Sequence, residues 1–201
     1  SLAAVTGPAF EGCGALRSID LGKCTEIRGL AFPRCGRLES IRVAHGNSRY
    51  RSVDGALYSR DGRVLVAYPR TRDVLNLVPG VCEIGDGACL SCPIRKLNLP
   101  DGIRRIGVRA FAQNQVLSEV TLGEGLESVG SSAFAFCRDL REVTFPASLK
   151  RVGNSLFERD GRLRRVVFGG GAPEQDSSRE SVLGRETSDF EIVVRPGTIG
   201  W

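Results

Sequence analysis

Residues 99–122 read Leu99-Pro-Asp-Gly-Ile-Arg-Arg-Ile-Gly-Val-Arg-Ala-Phe-Ala-Gln-Asn-Gln-Val-Leu-Ser-Glu-Val-Thr-Leu122. The second half of this stretch is a unit in which Ala-Phe, two variable residues and a short polar residue precede the apolar pattern Leu-x-x-Val-x-Leu. The unit recurs, with Cys, Asn or Asp at the polar position, from Ala9, Ala31, Ala88, Ala133 and Leu156. Counted through Ala110, successive copies are 22, 57, 22, 23 and 23 residues apart. A nearly fixed period of this length predicts stacked coils, that is, a solenoid.

The apolar pattern predicts one strand per coil. In the first copy, Leu16-x-x-Ile19-x-Leu21, the alternation places Ile19 and Leu21 on the inner face. Because one strand cannot bury its own apolar face, successive coils must stack, about 4.8 Å apart. We therefore expect a right-handed leucine-rich-repeat solenoid of mostly short parallel strands, with short helical or 3-10 turns at the Ala-Phe segments. The inner strand residues should form one row: Ile19, Ile41, Leu97, Val120, Val143 and Val166.

A second apolar pair lies between the strands and predicts the opposite wall of each coil. It reads Ile103-x-x-Ile106, Leu126-x-x-Val129 and Leu149-x-x-Val152. In these copies the pair leads into a glycine, where we expect the backbone to turn sharply. These glycines are Gly107, Gly130 and Gly153. The Phe of each Ala-Phe segment is expected to be the largest residue filling the coil.

One corner of every coil carries a short residue of a restricted kind: Cys13, Cys35, Cys92, Asn114, Cys137 and Asp160. Asn and Asp can pair with backbone groups left over by a turn, and a thiol is a small apolar group with weak hydrogen bonding. Their equivalence predicts that the corner cysteines are buried, reduced and without metal. Cys24 and Cys82 lie outside this column and are either free or paired. Since the chain has seven cysteines, at least one thiol has no partner within it.

The repeated pattern, written L-x-x-I-x-L-P-x-x-L-x-x-I-G-x-x-A-F-x-x-C, resembles the BspA-like, or treponemal-type, leucine-rich repeat. The similarity is close in residues 99–111 and 145–153 and extends over nearly the whole chain. The chain departs from the pattern where Cys89 replaces the Phe and Leu156 replaces the Ala. The resemblance implies a bacterial cell-surface or secreted module that takes part in adhesion and in binding host proteins.

Residues 44–80 interrupt the repeat and resemble an island found in the same family. Asp61-Gly62, between Ala56-Leu-Tyr58 and Val64-Leu-Val66, predicts a β-hairpin. Two interpretations stay open. The island is either an insertion that keeps the solenoid continuous or a protruding contact site at the rim, carrying the chain's three tyrosines, Tyr50, Tyr58 and Tyr68.

The domain organisation expected from these features is a single solenoid domain over residues 1–201. Repeats occupy 1–43 and 81–168, the island with its hairpin occupies 44–80, and a capping coil occupies 169–201. A cap is expected because the last coil of a solenoid otherwise exposes an apolar edge. The chain opens partway through a coil, so we expect it to be a piece of a longer protein.

Composition and motifs argue against several classes of protein. The net charge of +5 is dispersed, with no basic stripe interleaved with aromatics, which argues against nucleic-acid binding. The chain has no apolar run of about 18 residues and no signal-peptide pattern. His45, the single histidine, has no recognisable catalytic partner, and the repeat accounts for both residues of the Cys89-Leu-Ser-Cys92 motif. We therefore expect no enzyme, no cofactor and no metal site.

Two functions remain: a module that binds a partner through the strand face, and a structural spacer without a ligand of its own. The partner of such a module would be a protein, such as a host extracellular-matrix or serum protein, or a glycan. A binding face should vary between coils, since variation lets a shared scaffold recognise one partner. The outward strand residues do vary: Ser18, Asp20, Ser40, Arg42, Lys96, Asn98, Glu119, Thr121, Glu142, Thr144, Arg165 and Val167.

Overall fold

The chain folds into stacked coils whose strands form two parallel rows and one antiparallel insert. The computed structural model describes residues 3–27, 31–175, 181–184 and 190–195. Within these ranges it contains seventeen short strands and no helix. The capping coil expected over 169–201 is therefore described only in part.

One row, the wall, comprises β1 (Ala4–Val5), β3 (Glu26–Ile27), β8 (Glu83–Ile84), β10 (Arg105–Ile106), β12 (Ser128–Val129), β14 (Arg151–Val152) and β16 (Glu174–Gln175). The other row, the strand face, comprises β2 (Ser18–Asp20), β4 (Ser40–Arg42), β9 (Lys96–Asn98), β11 (Glu119–Thr121), β13 (Glu142–Phe145), β15 (Arg165–Phe168) and β17 (Glu191–Val194). Hydrogen-bonded neighbours within each row are parallel, and β17 closes the strand face against β15. Each row is interrupted once among the described strands, since β3 does not pair with β8 and β4 does not pair with β9.

The core lies between the two rows, and equivalent residues stack in it from coil to coil. Val143 is in register with Val120 and Val166, while Val129 of the wall is in register with Ile106 and Val152. The predicted wall pairs are all buried. The Phe side chains that fill the coils, here called the core plugs, also form a stack. The ring centroids of Phe111 and Phe134 are 5.7 Å apart, and those of Phe134 and Phe157 are 6.1 Å apart.

The Ala-Phe segments are successive turns, so the prediction of short helical turns is wrong. Arg109 and Gln113 flank the segment in the left-handed region, with φ of 53° and 61°, and a left-handed residue ends an α-helical run. The amides of Arg109, Phe111 and Gln113 instead donate to the carbonyls of Ser131, Ala133 and Ala135 in the next coil. This third side of the coil is thus also held by hydrogen bonds between coils.

The repeat glycines are required by the contact between coils rather than by a sharp turn. Gly107, Gly130 and Gly153 do not have positive φ. A Cβ at Gly130 would lie 2.6 Å from the amide nitrogen of Val108, and one at Gly107 would lie 2.7 Å from that of Asp86. Any side chain at these positions would force neighbouring coils apart.

The island forms an antiparallel meander that separates two apolar cores. It comprises β5 (Tyr50–Val53), β6 (Ala56–Ser59) and β7 (Val64–Ala67), and β7 joins the wall beside β8. Since successive side chains of a strand point to opposite faces, β6 is buried on both sides. Ala56 and Tyr58 belong to the larger core, and Leu57 belongs to the smaller, amino-terminal one.

The expected single inner row is therefore interrupted at the meander. Ile19 and Ile41 are in register and belong to the smaller core, whereas the four residues from Leu97 to Val166 belong to the larger core. The amide of Ile41 donates to the carbonyl of Gly55 at the start of β6. The prediction of one continuous row is wrong because the chain inserts a differently oriented sheet between the two stretches.

The corner residues bond to backbone of the preceding corner. The thiols of Cys35 and Cys137 lie 3.0 and 3.3 Å from the carbonyls of Phe10 and Phe111. The side-chain amide of Asn114 donates to the backbone carbonyl of Cys89 at 2.8 Å. Cys35, Cys92 and Cys137 are buried, as predicted. Cys13 is exposed, so its predicted burial is wrong: the described residues include no corner before it to provide cover. All seven cysteines are free thiols in this structure.

Asp160 occupies the same corner but lacks a donor when ionised. One oxygen accepts from the amide of Cys137 at 2.7 Å, and the other is buried without a hydrogen-bond partner. Burial raises the pKa of Asp160 to about 8, against smaller opposing effects from the amides of Cys137 and Phe136. A neutral acid could donate to backbone as Asn114 does, so the fold favours the protonated form.

Truncating the middle plug, Phe134→Ala, should lower the free energy of unfolding by about 3–5 kcal/mol, since it leaves a cavity between two stacked rings. Urea unfolding followed by circular dichroism measures the loss. Val108→Ala, at a side chain 40% exposed, is the matched control and should cost less than about 1 kcal/mol. Equal losses in the two variants would contradict the assignment of Phe134 as a core plug.

The pH dependence of stability tests the state of Asp160. The folded protein keeps its proton up to about pH 8, whereas the unfolded carboxyl, with an ordinary pKa near 3.8, has lost it. The contribution of Asp160 to stability should therefore be largest below that lower value and fall as pH rises to about 8, by at most about 1.4 kcal/mol per pH unit. Asp160→Asn should remove most of this slope. Asp139→Asn, at a carboxylate that pairs with Arg162, should keep it; identical slopes in both variants would exclude Asp160 as the source.

Candidate partner-binding face

The five strands β9, β11, β13, β15 and β17 present a continuous sheet surface with two outward columns. The first column is charged: Lys96, Glu119, Glu142, Arg165 and Glu191. The second is small and uncharged: Asn98, Thr121, Thr144, Val167 and Val193. The strand alternation that turns Val143 and its register partners inward turns both columns outward. A charged stripe therefore lies beside a stripe of amide, hydroxyl and β-branched side chains.

Charges in the first column are paired between coils. The Lys96 ammonium lies 2.9 Å from the Glu119 carboxylate, and the Arg165 guanidinium lies 3.4 Å from Glu142 and 3.6 Å from Glu191. The register of the strands causes this pairing, because it places residues 23 or 26 positions apart side by side. Such exposed pairs add little to stability, but they hold long side chains in defined positions along the face.

At the amino-terminal end, β2 and β4 form a separate part of the strand face. Ser18 is in register with Ser40, and Asp20 with Arg42. The antiparallel meander separates this pair from β9, so the structure brings the predicted site residues together in two groups rather than in one sheet. Ser18, Asp20 and Arg42 are exposed, and Ser40 is half-buried.

Val167 does not have the exposure expected of a contact residue. It is 8% exposed, in register with Thr144 on one side and Val193 on the other. Its assignment to the contact surface is wrong, because β17 adds a further strand beside it. Thr144 is half-buried, while the remaining predicted residues from Lys96 to Arg165 are exposed.

The tyrosines of the island are structural, so the interpretation of Tyr58 and Tyr68 as rim contacts is wrong. Both are almost fully buried. The Tyr68 hydroxyl donates to the carbonyl of Val74 at 2.8 Å and accepts from the amide of Asn76 at 3.1 Å. Tyr50 is half-buried, and its hydroxyl accepts from the amide of Ile27 at 2.9 Å, on the strand β3. All three hydroxyls satisfy backbone groups of the island or the wall.

A concavity of about 280 Å³ adjoins the strand face at the carboxyl ends of its strands. Its lining includes Thr121, Thr144, Glu124 and Arg195. Glu124, Arg195 and Glu191 are not among the residues predicted from the sequence, and Glu191 extends the charged column. Aligning the closing strand with residues 165–168 would have placed Glu191 at an outward position; no comparable signal marks Arg195.

The described residues contain no cluster of His, Cys, Asp or Glu suited to hold a metal ion. They also contain no helix long and apolar enough to cross a membrane.

Residues 1–53 and 75–174 match the model of the BspA-type leucine-rich repeat region, in six copies. The chain belongs to the BspA-type leucine-rich repeat family. The part that the match skips, 54–74, contains β6 and β7 of the meander, where the spacing between copies lengthens to 57 residues. Leucine-rich repeat solenoids of this family are generally protein-interaction scaffolds rather than enzymes.

Solved structures of bacterial proteins share this BspA-type fold. The pneumococcal vaccine antigen PcpA is 26% identical with a TM-score of 0.75, over 84% of this chain and 43% of that one. A leucine-rich cell surface protein of Faecalibacterium prausnitzii is 24% identical with a TM-score of 0.71, over 88% and 52%. A leucine-rich repeat protein of Eubacterium ventriosum is 23% identical with a TM-score of 0.70, over 77% and 42%.

This chain spans about half the length of those structures or less. A comparison with curated proteins gives no match.

Reversing one charge of the first column should show that its pairs are formed in solution. K96E places a second carboxylate beside Glu119 and should cost about 0.5–1 kcal/mol at low salt, an effect that high salt screens. The exchanged double variant K96E/E119K should recover most of the loss. Urea midpoints at two salt concentrations measure both effects, and a double variant no more stable than K96E would show that the pair does not form.

Proposed function

We propose that this chain is a non-enzymatic binding module of a bacterial cell-surface or secreted protein, and that it recognises a protein or glycan through the strand face. Support for the location comes from the BspA-type family and from the printed description of one structural neighbour as a cell surface protein. A role in adhesion is the specific form of binding that we propose.

The observation that carries the proposal is the pair of outward columns on β9 to β17. Asn98, Thr121 and Thr144 offer amide and hydroxyl groups in line, next to charges that the ion pairs already hold in place. Binding to such a surface orders few additional side chains, which lowers the entropic cost of association. A rigid row with hydrogen-bonding capacity suits an extended peptide or a glycan lying across the coils.

The concavity at the end of the strands extends this surface. Arg195 and Glu124 bring opposite charges to its lining, beside the hydroxyl-bearing Thr121 and Thr144. A partner that follows the second column would reach this depression without leaving the sheet. The island contributes through the exposed tip at Arg60 and Asp61 rather than through its tyrosines, since Tyr58 and Tyr68 are buried.

A binding screen with matched variants tests this function. The protein is measured by surface plasmon resonance against purified extracellular-matrix proteins, serum proteins and glycans. The variant N98R/T121R adds two bulky cations to exposed positions of the strand face and should weaken binding at least about tenfold, because they block the second column. The control V108R/S128R adds the same two charges away from that face and should bind like the parent.

Three outcomes would contradict the assignment. If both double variants bind like the parent, the strand face is not the contact surface. If R60A alone abolishes binding, the island tip takes its place. If no probe binds at all, the alternative of a structural spacer is favoured over a binding module.

A further inference from the structure

Arg70 is a buried cation near the junction of the two cores. The residue follows strand β7 in the chain and is 4% exposed. The backbone amide of Arg70 donates to the carbonyl of Leu38 in the smaller core region. The guanidinium reaches the other way, to the carbonyls of Gly87 and Ala88 at 3.5 Å, and its Nε is buried without a partner.

The group that compensates this charge is a thiol. Among the described residues no carboxylate forms an ion pair with Arg70. The sulfur of Cys92 lies 3.4 Å from Nη1 of Arg70. A buried cation without a counter-charge is costly, so the interior favours a negative charge on this sulfur.

Cys89 supplies a second group directed at the same sulfur. The amide of Cys92 donates to the carbonyl of Cys89 at 3.4 Å, which closes a turn between the two cysteines. Hydrogen bonding from the Cys89 thiol, together with Arg70, lowers the pKa of Cys92 to about 7 despite burial, which raises it. Burial raises the pKa of Cys89 well above its ordinary value. Cys35, the other titratable group that senses Arg70, has a raised pKa, chiefly because of burial. The three thiols near Arg70 are thus unequal, and Cys92 is the one whose pKa is lowered.

Small molecules have a route to this pair. A concavity of about 560 Å³ is lined by Arg70 and Cys92, together with Thr71, Ser91 and Pro93. Cys92 itself is only 2% exposed, so the opening suits a reagent the size of water rather than a bulky one. Hydrogen peroxide has that size and reacts with thiolates.

We propose that Cys89 and Cys92 are a peroxide-reactive dithiol, with Cys92 as the nucleophile held by Arg70 and Cys89 as the resolving thiol. The Cys92 thiolate attacks one oxygen of hydrogen peroxide, the O–O bond breaks and hydroxide leaves, which gives a sulfenic acid. The Cys89 sulfur then attacks the Cys92 sulfur, its proton leaves with the hydroxyl group as water, and a disulfide forms. The two sulfur atoms together lose two electrons, and peroxide is reduced.

Oxidation also removes the counter-charge of Arg70. A disulfide sulfur is neutral, so the guanidinium is left between the two cores with only long bonds to carbonyls. The oxidised protein should therefore melt at a lower temperature than the reduced one. This site is independent of the strand face, so its failure would leave the proposed binding function untouched.

The reactivity of Cys92 is measured in C13S/C82S, which removes an exposed and a half-buried thiol. Thiolate absorbance at 240 nm over a series of pH values, taken as the difference between this protein and the same protein with C92S, should reach half its maximum near pH 7. Adding R70M should shift the midpoint upward by at least about one pH unit and slow the reaction of Cys92 with hydrogen peroxide at neutral pH about tenfold. R72M, at the neighbouring arginine that lies over the Tyr68 ring, is the control and should change neither.

Peroxide treatment gives a second readout that does not require R70M to fold. In the C13S/C82S protein, peroxide should join Cys89 and Cys92 in a disulfide. Mass spectrometry should then show the loss of two hydrogen atoms. Adding C89S should instead leave Cys92 as a sulfenic acid, which mass spectrometry detects as one added oxygen atom. A titration midpoint at the value of an ordinary thiol, or a Cys92 that stays reduced in excess peroxide, would overturn the proposal.

Discussion

Hydrogen bonds between successive coils fix the spacing of the coils, and the rest of this structure depends on that spacing. They run along the wall, along the strand face and through the turn segments, where the amides of Arg109, Phe111 and Gln113 bond to the next coil. Because all three sides bond at one spacing, equivalent residues must tolerate close stacking. Aromatic rings then stack as Phe111 does on Phe134, and Gly130 cannot carry a side chain.

The sequence predicts those parts of the fold that repeat. Val120, Val143 and Val166 recur at one spacing, so their inward direction and register follow from period and alternation alone. The island repeats nothing, and its antiparallel meander buries both faces, which alternation cannot distinguish from a half-exposed hairpin. Alternation therefore leaves open a position at the rim for Tyr58 and Tyr68, whereas both are buried. Their hydroxyls bond to backbone of residues 74–76, a pairing that only the folded chain reveals.

The candidate site was predictable in outline and not in its electrostatics. Alternation identifies Lys96, Glu119 and Thr121 as outward residues, but it does not say which charges pair. Pairing depends on register, which links residues more than twenty positions apart. The burial of Val167 depends on the strand that follows it, and Arg70 carries no sequence signal because a single arginine in a polar segment usually lies in solvent.

The division of the apolar interior has a consequence for how the molecule comes apart. Repeat arrays unfold in cooperative units set by the interfaces between neighbours. Here the meander, with Leu57 on one side and Tyr58 on the other, makes the first two coils and the remaining coils into separate units that share one sheet. The amino-terminal unit has the smaller apolar cluster, so we expect it to open at a lower free-energy cost than the coils that carry β9 to β17.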